Sequence, residues 1–257
     1  MTSLVLVADV GPVRLLTMNR AAARNALSRD LIRALYTALS DADADDSARA
    51  VVLTGADPAF CAGVDLKEAA RDGADYFAEF QSQSCIARVA EMRTPIVGAV
   101  NGAVFTGGLE MALGCDFLIA SERAVFADTH ARVGILPGGG MTARLPQVVG
   151  AAMARRLSMT GEVVDAARAE SIGLVTEVVA HDRLLDRAFE LAGQIAEVPA
   201  ATIIGLKEIY RRGTDGVISP ALAAEQDIAG AQDRDLSGLG ARFDSVTARN
   251  RAQISSD

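Results

Sequence analysis

The sequence predicts an α/β fold, and three observations carry that reading. The apolar runs "AVVLTG" (residues 50–55) and "IVGAV" (96–100) have the pattern of strands buried on both faces. Each is followed by a glycine-bearing loop and then by a helical segment, an alternation that argues for parallel strands with chemistry on the loops after them. A chain of 257 residues, 50% hydrophobic and 23% charged, has the size and composition to bury such a core.

The elements follow in order. "LVLVADV" and "VRLLTMN" are β-rich runs split by Gly11-Pro12, which predicts a hairpin. Ser28 is placed as the N-cap of a helix to about Asp43, with Leu31, Leu35 and Leu39 on one face. "AVVLTG" is a buried strand, "ADPAFCAGVD" its loop, and helical segments then run to about Arg93, where Thr94-Pro95 stops them. "IVGAV" is the next strand, "NGAVFTGG" its loop, "LEMALGC" a short helix and "DFLIAS" another strand. After Gly140 the pattern is mixed helical with one strand at "LVTEVV", and from about Asp182 it is helical. The expected organisation is a core over residues 1–200 and a helical region over 201–257, packed on the core or on another subunit.

Composition excludes several classes. With 25 Lys plus Arg against 33 Asp plus Glu, the formal charge of −8 gives no general attraction for nucleic acid or an anionic membrane. Cys61, Cys85 and Cys115 are odd in number and widely spaced, without a CxxC pair, so they read as buried thiols in a reducing cytoplasm rather than disulfides or zinc ligands. No positive segment precedes the first apolar stretch, so no signal peptide is expected. The run from Pro95 to Ala120 is long enough to span a bilayer, but Asn101, Thr106, Glu110 and Asp116 within it favour a buried strand, turn and helix.

Two loops carry candidate chemistry. In "AFCAGVDLKEA", Val64 stands before a helix with its backbone N–H free to meet an anion, and Gly63 lets a ligand approach; the bland alternative is an ordinary strand-to-helix turn. In "NGAVFTGGLEMALGCD", Gly107 and Gly108 lead into a helix whose second or third residue, Glu110, is flanked by Leu109, Met111, Ala112 and Leu113. Desolvation there would raise its pKa toward a useful acid–base range; the alternative is a glutamate that completes a helix cap. Two free N–H groups and one carboxylate would together make an oxyanion hole beside an acid–base. There is no nucleotide phosphate loop, no GxSxG, and no HExxH or carboxylate-rich metal loop. His181 reads as a loop or cap residue.

"AFCAGVDLKEA", "PIVGAVNGAVFTGGLEMALGCD" and "LPGGGMTARLPQVVG", in that order and spacing, closely resemble the enoyl-CoA hydratase/isomerase (crotonase) superfamily, and "RNALS" and "TGEVVDAARAESIGLVTEVV" extend the likeness over residues 4–207. The resemblance implies a spiral of ββα units with a helical C-terminal trimerisation region, assembled as trimers or hexamers. It implies a coenzyme A thioester as substrate and no covalently bound cofactor. By motif, the oxyanion donors fall on Val64 and Gly107, and the first acid–base on Glu110. Ala62, Gly63, Asp65, Leu66 and Lys67 would lie along the CoA arm, with the Ala62 carbonyl near the adenine and Arg24 near a CoA phosphate.

The chain departs from the family at the second glutamate, a position that falls on His130 in "FADTHARVG". Imidazole suits proton transfer near neutral pH, so His130 is a candidate replacement, able to pair with Glu110, or else a packing residue; Asp128 is a further candidate. "PGGGMT" also differs from the family's usual Gly-Gly-Thr ending. The first functional expectation is reversible addition of water to a trans-2-enoyl-CoA by a cytoplasmic enzyme. The alternatives are isomerase, decarboxylase or thioesterase chemistry, or a non-catalytic acyl-CoA-binding protein.

Overall fold

Three consecutive parts of the chain repeat one path: a strand in a large sheet, a short strand in a second sheet, then a helix. The computed structural model describes residues 3–73, 75–77, 84–232 and 238–254. β1 (Val5–Val10) and β2 (Val13–Met18) form the expected hairpin through Gly11, whose φ of +58° a glycine adopts without strain. β2 pairs in parallel with β3 (Ala50–Gly55), which is followed across the sheet by β5 (Ile96–Val100), β7 (Phe117–Ser121) and β10 (Glu177–Val179). The sheet order is therefore β1-β2-β3-β5-β7-β10.

Two segments expected as loops contain strands. Residues 56–65 hold β4 (Ala59–Cys61), and residues 101–108 hold β6 (Ala103–Phe105). With β8 (Val125–Ala127) and β9 (Val164–Asp165) they form a four-stranded sheet in the order β4-β6-β8-β9. Strands of two or three residues carry too little alternation to register as a pattern. β3–β4, β5–β6 and β7–β8 are thus successive turns of a spiral.

Helices complete each turn. α1 (Arg29–Ala44) starts as expected at Ser28, whose hydroxyl accepts the Leu31 N–H, and it buries Leu31, Leu35 and Leu39. α2 (Leu66–Asp72) and α3 (Cys85–Glu91) follow β4; part of the helical stretch expected here, residues 74 and 78–83, lies outside the described residues. α4 (Gly107–Ala112) follows β6 and starts two residues earlier than expected. α5 (His130–Val133), α6 (Met141–Val149), α7 (Ala151–Thr160) and α8 (Ala166–Ser171) come next. Among the described residues that follow Arg183, three helices dominate: α9 (Leu184–Glu197), α10 (Ala200–Ala231) and α11 (Leu239–Ile254).

The large sheet separates two apolar clusters. Val51, Leu53, Ile96, Val100, Leu118 and Ala120 face the one shared with α1, α3 and α4. Their alternates Ala50, Val52, Val97, Ala99 and Ile119 face Leu184, Ala188 and Ala192 of α9. Coverage on both faces is why these strands read as continuous apolar runs. The three cysteines are free; Cys61 and Cys85 are buried, and burial pushes the Cys61 thiol up to about 12, away from reactivity. Among the described residues no single helix is long and apolar enough to cross a membrane, although the bent pair of residues 181–197 and 200–231 together has the length and composition.

Candidate active site

β4 and β6 run in parallel, which brings the loops that follow them side by side. A Cβ on Gly63 would sit 2.0 Å from Thr106 Oγ1, and one on Gly108 would sit 2.3 Å from the Cys61 carbonyl oxygen. Glycine at 63 therefore admits the neighbouring loop, and its φ of +91° also favours glycine. Beyond it, Leu27 and Val64 form a parallel bridge: Leu27 N–H donates to Gly63 O, and Asp65 N–H donates to Leu27 O. In that pattern the central residue's own N–H points away from the bridging strand, so Val64 N–H is turned outward.

Gly107 is the first residue of α4, where an N–H has no intrahelical acceptor. Thr106 before it has φ +46° and ψ −118°, an uncommon conformation for a β-branched residue that sets the direction in which α4 begins. The space beside Gly107 is bounded by Leu27, Ile86 and Glu110 Oε2. Val64 N–H, turned away from its bridge, and Gly107 N–H, without an intrahelical acceptor, thus sit on abutting loops, and Leu27, Ile86 and one carboxylate lie beside Gly107.

Glu110 is 3% exposed. Burial raises its pKa and the Glu225 charge adds to that; the His130 imidazolium and the backbone hydrogen bonds act the other way, and the net direction is upward. Its Oε1 accepts the N–H groups of Gly139 at 2.8 Å and Met141 at 3.3 Å. Its Oε2 lies 3.9 Å from His130 Nε2, too far for a direct hydrogen bond but close enough for one small group to touch both.

His130 opens α5 and is itself buried. Its Nδ1 is 2.7 Å from Asp128 Oδ1, which leaves Nε2 as the nitrogen facing Glu110. Burial disfavours the imidazolium, but the Asp128 hydrogen bond and the Glu110, Asp128 and Glu225 charges outweigh it and raise the His130 pKa. Burial would raise the pKa of Asp128, but its hydrogen bond to His130 and the imidazolium charge outweigh that and keep it low. The structure thus joins three sequence candidates, Asp128, His130 and Glu110, in one line.

The sequence reading missed the group that completes the cluster. Glu225, on the largely exposed α10, is buried and accepts Gly140 N–H at 2.6 Å and Thr142 N–H at 2.7 Å. No local pattern marks a glutamate that meets residues more than 80 positions earlier.

The other candidates lie along the first loop. Ala62 N–H donates to the Arg24 carbonyl at 3.0 Å, so the two are neighbours, with the Arg24 side chain exposed. Fully buried Asn25 accepts the Arg20 N–H and donates to the Ala56 and Ala59 carbonyls, tying the "RNALS" turn to that loop. Asp65 caps α2, accepting the Lys67 and Glu68 N–H groups, and pairs with Arg20 at 2.6 Å, so its carboxylate is engaged within the protein. Leu66 packs with Val133, Ile135 and Val246, and Lys67 is exposed.

A ββα spiral with two abutting glycine loops and a buried cluster of Glu110, His130 and Asp128 is the architecture of an enzyme of the crotonase superfamily. The sequence matches the enoyl-CoA hydratase/isomerase family over residues 10–236, and the chain belongs to that family. A Rhizobium meliloti relative described as "probable enoyl-CoA hydratase" is 42% identical over 86% of each chain. The 2,3-dehydroadipyl-CoA hydratase of Escherichia coli is 34% identical, over 86% of this chain and 89% of that one. Among solved structures, an enoyl-CoA hydratase from Mycobacterium smegmatis is 46% identical, with a TM-score of 0.79 over 89% of this chain and 97% of that chain. A monofunctional enoyl-CoA isomerase from the same organism is 33% identical, with a TM-score of 0.72 over 83% and 95%.

Proposed function

We propose that this protein adds water reversibly to a trans-2-enoyl-CoA. The observation that carries the reading is the facing of Glu110 Oε2 and His130 Nε2 across 3.9 Å beside Gly107. Glu110 takes a proton from water as the water oxygen bonds to Cβ of the enoyl group. The π electrons move onto the thioester, whose oxygen accepts the N–H groups of Val64 and Gly107. Such a donor is worth about 2.7–4 kcal/mol of barrier in enzymes that use one. Cα then takes the proton of the His130 imidazolium, and the proton left on Glu110 returns to Nε2. Protons and electrons balance, and one water has been added.

In this reading Asp128 acts through His130, sustaining the cation that delivers the proton. The CoA arm runs along Ala62, Gly63, Asp65, Leu66 and Lys67, with the adenine at the Ala62 carbonyl and a phosphate near Arg24. Residues 201–257 form the assembly region of a trimer or hexamer, which is supported by exposed Ile209, Tyr210, Val217 and Ile228 on α10. The enzyme works in the cytoplasm, in keeping with three free cysteines.

The test is mass spectrometry of products from short, medium and long trans-2-enoyl-CoAs, with wild type and Glu110→Gln in parallel. Gain of one water with wild type alone supports hydration and reports chain length. A shifted double bond without added water moves the assignment to isomerisation, and loss of CO₂ or release of free CoA moves it to decarboxylation or thioester hydrolysis. Binding without turnover leaves an acyl-CoA-binding protein.

A further inference from the structure

Four successive backbone N–H groups, from Gly139 to Thr142, go alternately to two buried carboxylates. Gly139 and Met141 donate to Glu110, and Gly140 and Thr142 donate to Glu225. The Thr142 hydroxyl adds a further donor to Glu225. Glu110 comes from α4, inside the spiral, whereas Glu225 comes from α10, outside it, so the Gly139–Thr142 segment is gripped from both sides.

The geometry explains the glycines of this turn. A Cβ on Gly139 would lie 2.6 Å from Glu110 Oε2, and Gly140 has φ +105°. Neither glycine has a side chain to brace it, and the backbone of such residues is held only by its hydrogen bonds. Glu225 supplies the bracing from one side, and Arg144 adds a hydrogen bond to the Gly139 carbonyl at 2.7 Å. The face of α10 toward the turn is otherwise apolar: Leu222 Cδ2 would be 3.1 Å from a Cβ on Gly140, and Ala229 is buried one turn beyond Glu225. A carboxylate buried on this face, in a helix whose other charged residues are mostly exposed, is costly unless its oxygens are satisfied.

We propose that Glu225 is a positioning residue for the reaction above. It clamps the Gly139–Thr142 turn so that two N–H groups stay aimed at Glu110 Oε1, which leaves Oε2 turned to His130. The inference rests on the hydration reading for its kinetic test, and a second readout is independent of it. Because the clamp comes from α10, it makes the acid–base geometry depend on how the C-terminal helices are docked.

The clamp also sets the electrostatics of the site. The charged groups facing Glu110 are His130 from α5, Arg144 from α6 and Glu225 from α10. Those facing His130 are Asp128, Glu110 and Glu225. A second carboxylate favours protons on both Glu110 and His130, so removing its charge moves both titrations to lower pH.

The experiment compares wild type, Glu225→Ala, Glu225→Gln and Thr142→Val in the full-length chain. Wild-type amides of Gly139–Thr142 are expected to be protected from hydrogen exchange, and in Glu225→Ala that protection falls while the core strands keep theirs. With an enoyl-CoA that wild type hydrates, Glu225→Ala loses about tenfold or more in kcat with less than about threefold change in KM, because the thioester donors Val64 and Gly107 are on other loops. Glu225→Gln keeps acceptor oxygen but no charge; it recovers part of kcat and shifts both limbs of the pH profile to lower pH. Thr142→Val, which loses only the hydroxyl donor, lies between wild type and Glu225→Ala. Unchanged exchange at Gly139–Thr142 in Glu225→Ala overturns the clamp whatever the activity. Lost protection with kcat within about twofold of wild type overturns the positioning role. Wild type that hydrates no enoyl-CoA overturns the hydration reading instead, and the exchange result still decides the clamp.

Discussion

Asp128 Oδ1 receives both the ring Nδ1 of His130, at 2.7 Å, and its backbone N–H, at 3.3 Å. One carboxylate therefore fixes the imidazole and the turn that carries it. The arrangement also balances charge. Two carboxylates sharing one proton carry −1; Glu110 and His130 sharing one proton are neutral, and ionised Asp128 restores −1. The site can thus keep the charge of a paired-glutamate site while using imidazole as one member.

Removal of that carboxylate charge is expected to weaken the acid. In Asp128→Asn the His130 pKa falls, because the charge that raises it is lost and the ring hydrogen bond is left with a neutral acceptor. The basic limb of the hydration pH profile moves to lower pH, and kcat drops by roughly tenfold to a hundredfold at neutral pH. A limb that stays in place would show that His130 does not supply the proton.

Substituting the histidine by the expected glutamate is not expected to restore a hydratase by itself. In His130→Glu a new carboxylate meets Asp128 in a buried turn, and like charges that close cannot both ionise cheaply. The single variant should melt below wild type, and His130→Glu combined with Asp128→Asn should melt above the single variant and be the more active of the two. Independent, additive effects on melting would contradict the charge argument.

Stability should depend on pH through the same three groups. Glu110, with a raised pKa, contributes fully below its ordinary value of 4.5, and His130, also raised, below 6.5; both contributions fade as pH rises through the folded values. Asp128, with a lowered pKa, contributes fully above 3.8 and is lost as pH falls through its folded value. Glu110→Gln has no acid to ionise, so its melting temperature relative to wild type should climb between pH 4 and pH 8. A constant difference across that range would mean that Glu110 ionises in the folded protein as easily as in the unfolded chain. In the product assay the same variant should lose on the order of 10²–10⁴ in kcat.

Gly63→Ala tests the first loop. The added Cβ meets Thr106 Oγ1 at 2.0 Å in a backbone with φ +91°. Strain of about 1–3 kcal/mol is expected, which lowers the melting temperature by a few degrees in a chain of this size. Because the neighbouring Val64 N–H moves with the loop, kcat should fall as well. Wild-type melting and turnover in Gly63→Ala would show that the two loops yield freely.

Much of this was legible in residue order. β3, β5 and β7 announce themselves because both faces are buried and nearly every position is apolar, Thr54 and Ser121 being the polar ones; Ser28 is read as a cap because its hydroxyl acts on an N–H three residues away. Glu110 stands out as an acid in an apolar run. β4, β6 and β8, at three residues each, are too short to show a period and form only because the spiral lays them side by side. Asn25, which ties two loops from inside, looks in sequence like any turn asparagine.

The sequence by itself determined the family, the apolar strands of the large sheet, the two glycine loops and the presence of an imidazole where a carboxylate is usual. These are local properties, set by the order of apolar, glycine and acidic residues over a few positions. Only the tertiary structure decided which oxygen of Glu110 faces His130, that Asp128 fixes the ring, and that Glu225 grips the Gly139–Thr142 turn. Those relations join groups on different elements across 20 to 85 positions or set the rotation of a ring, and their energies depend on burial, which exists only once the elements have packed.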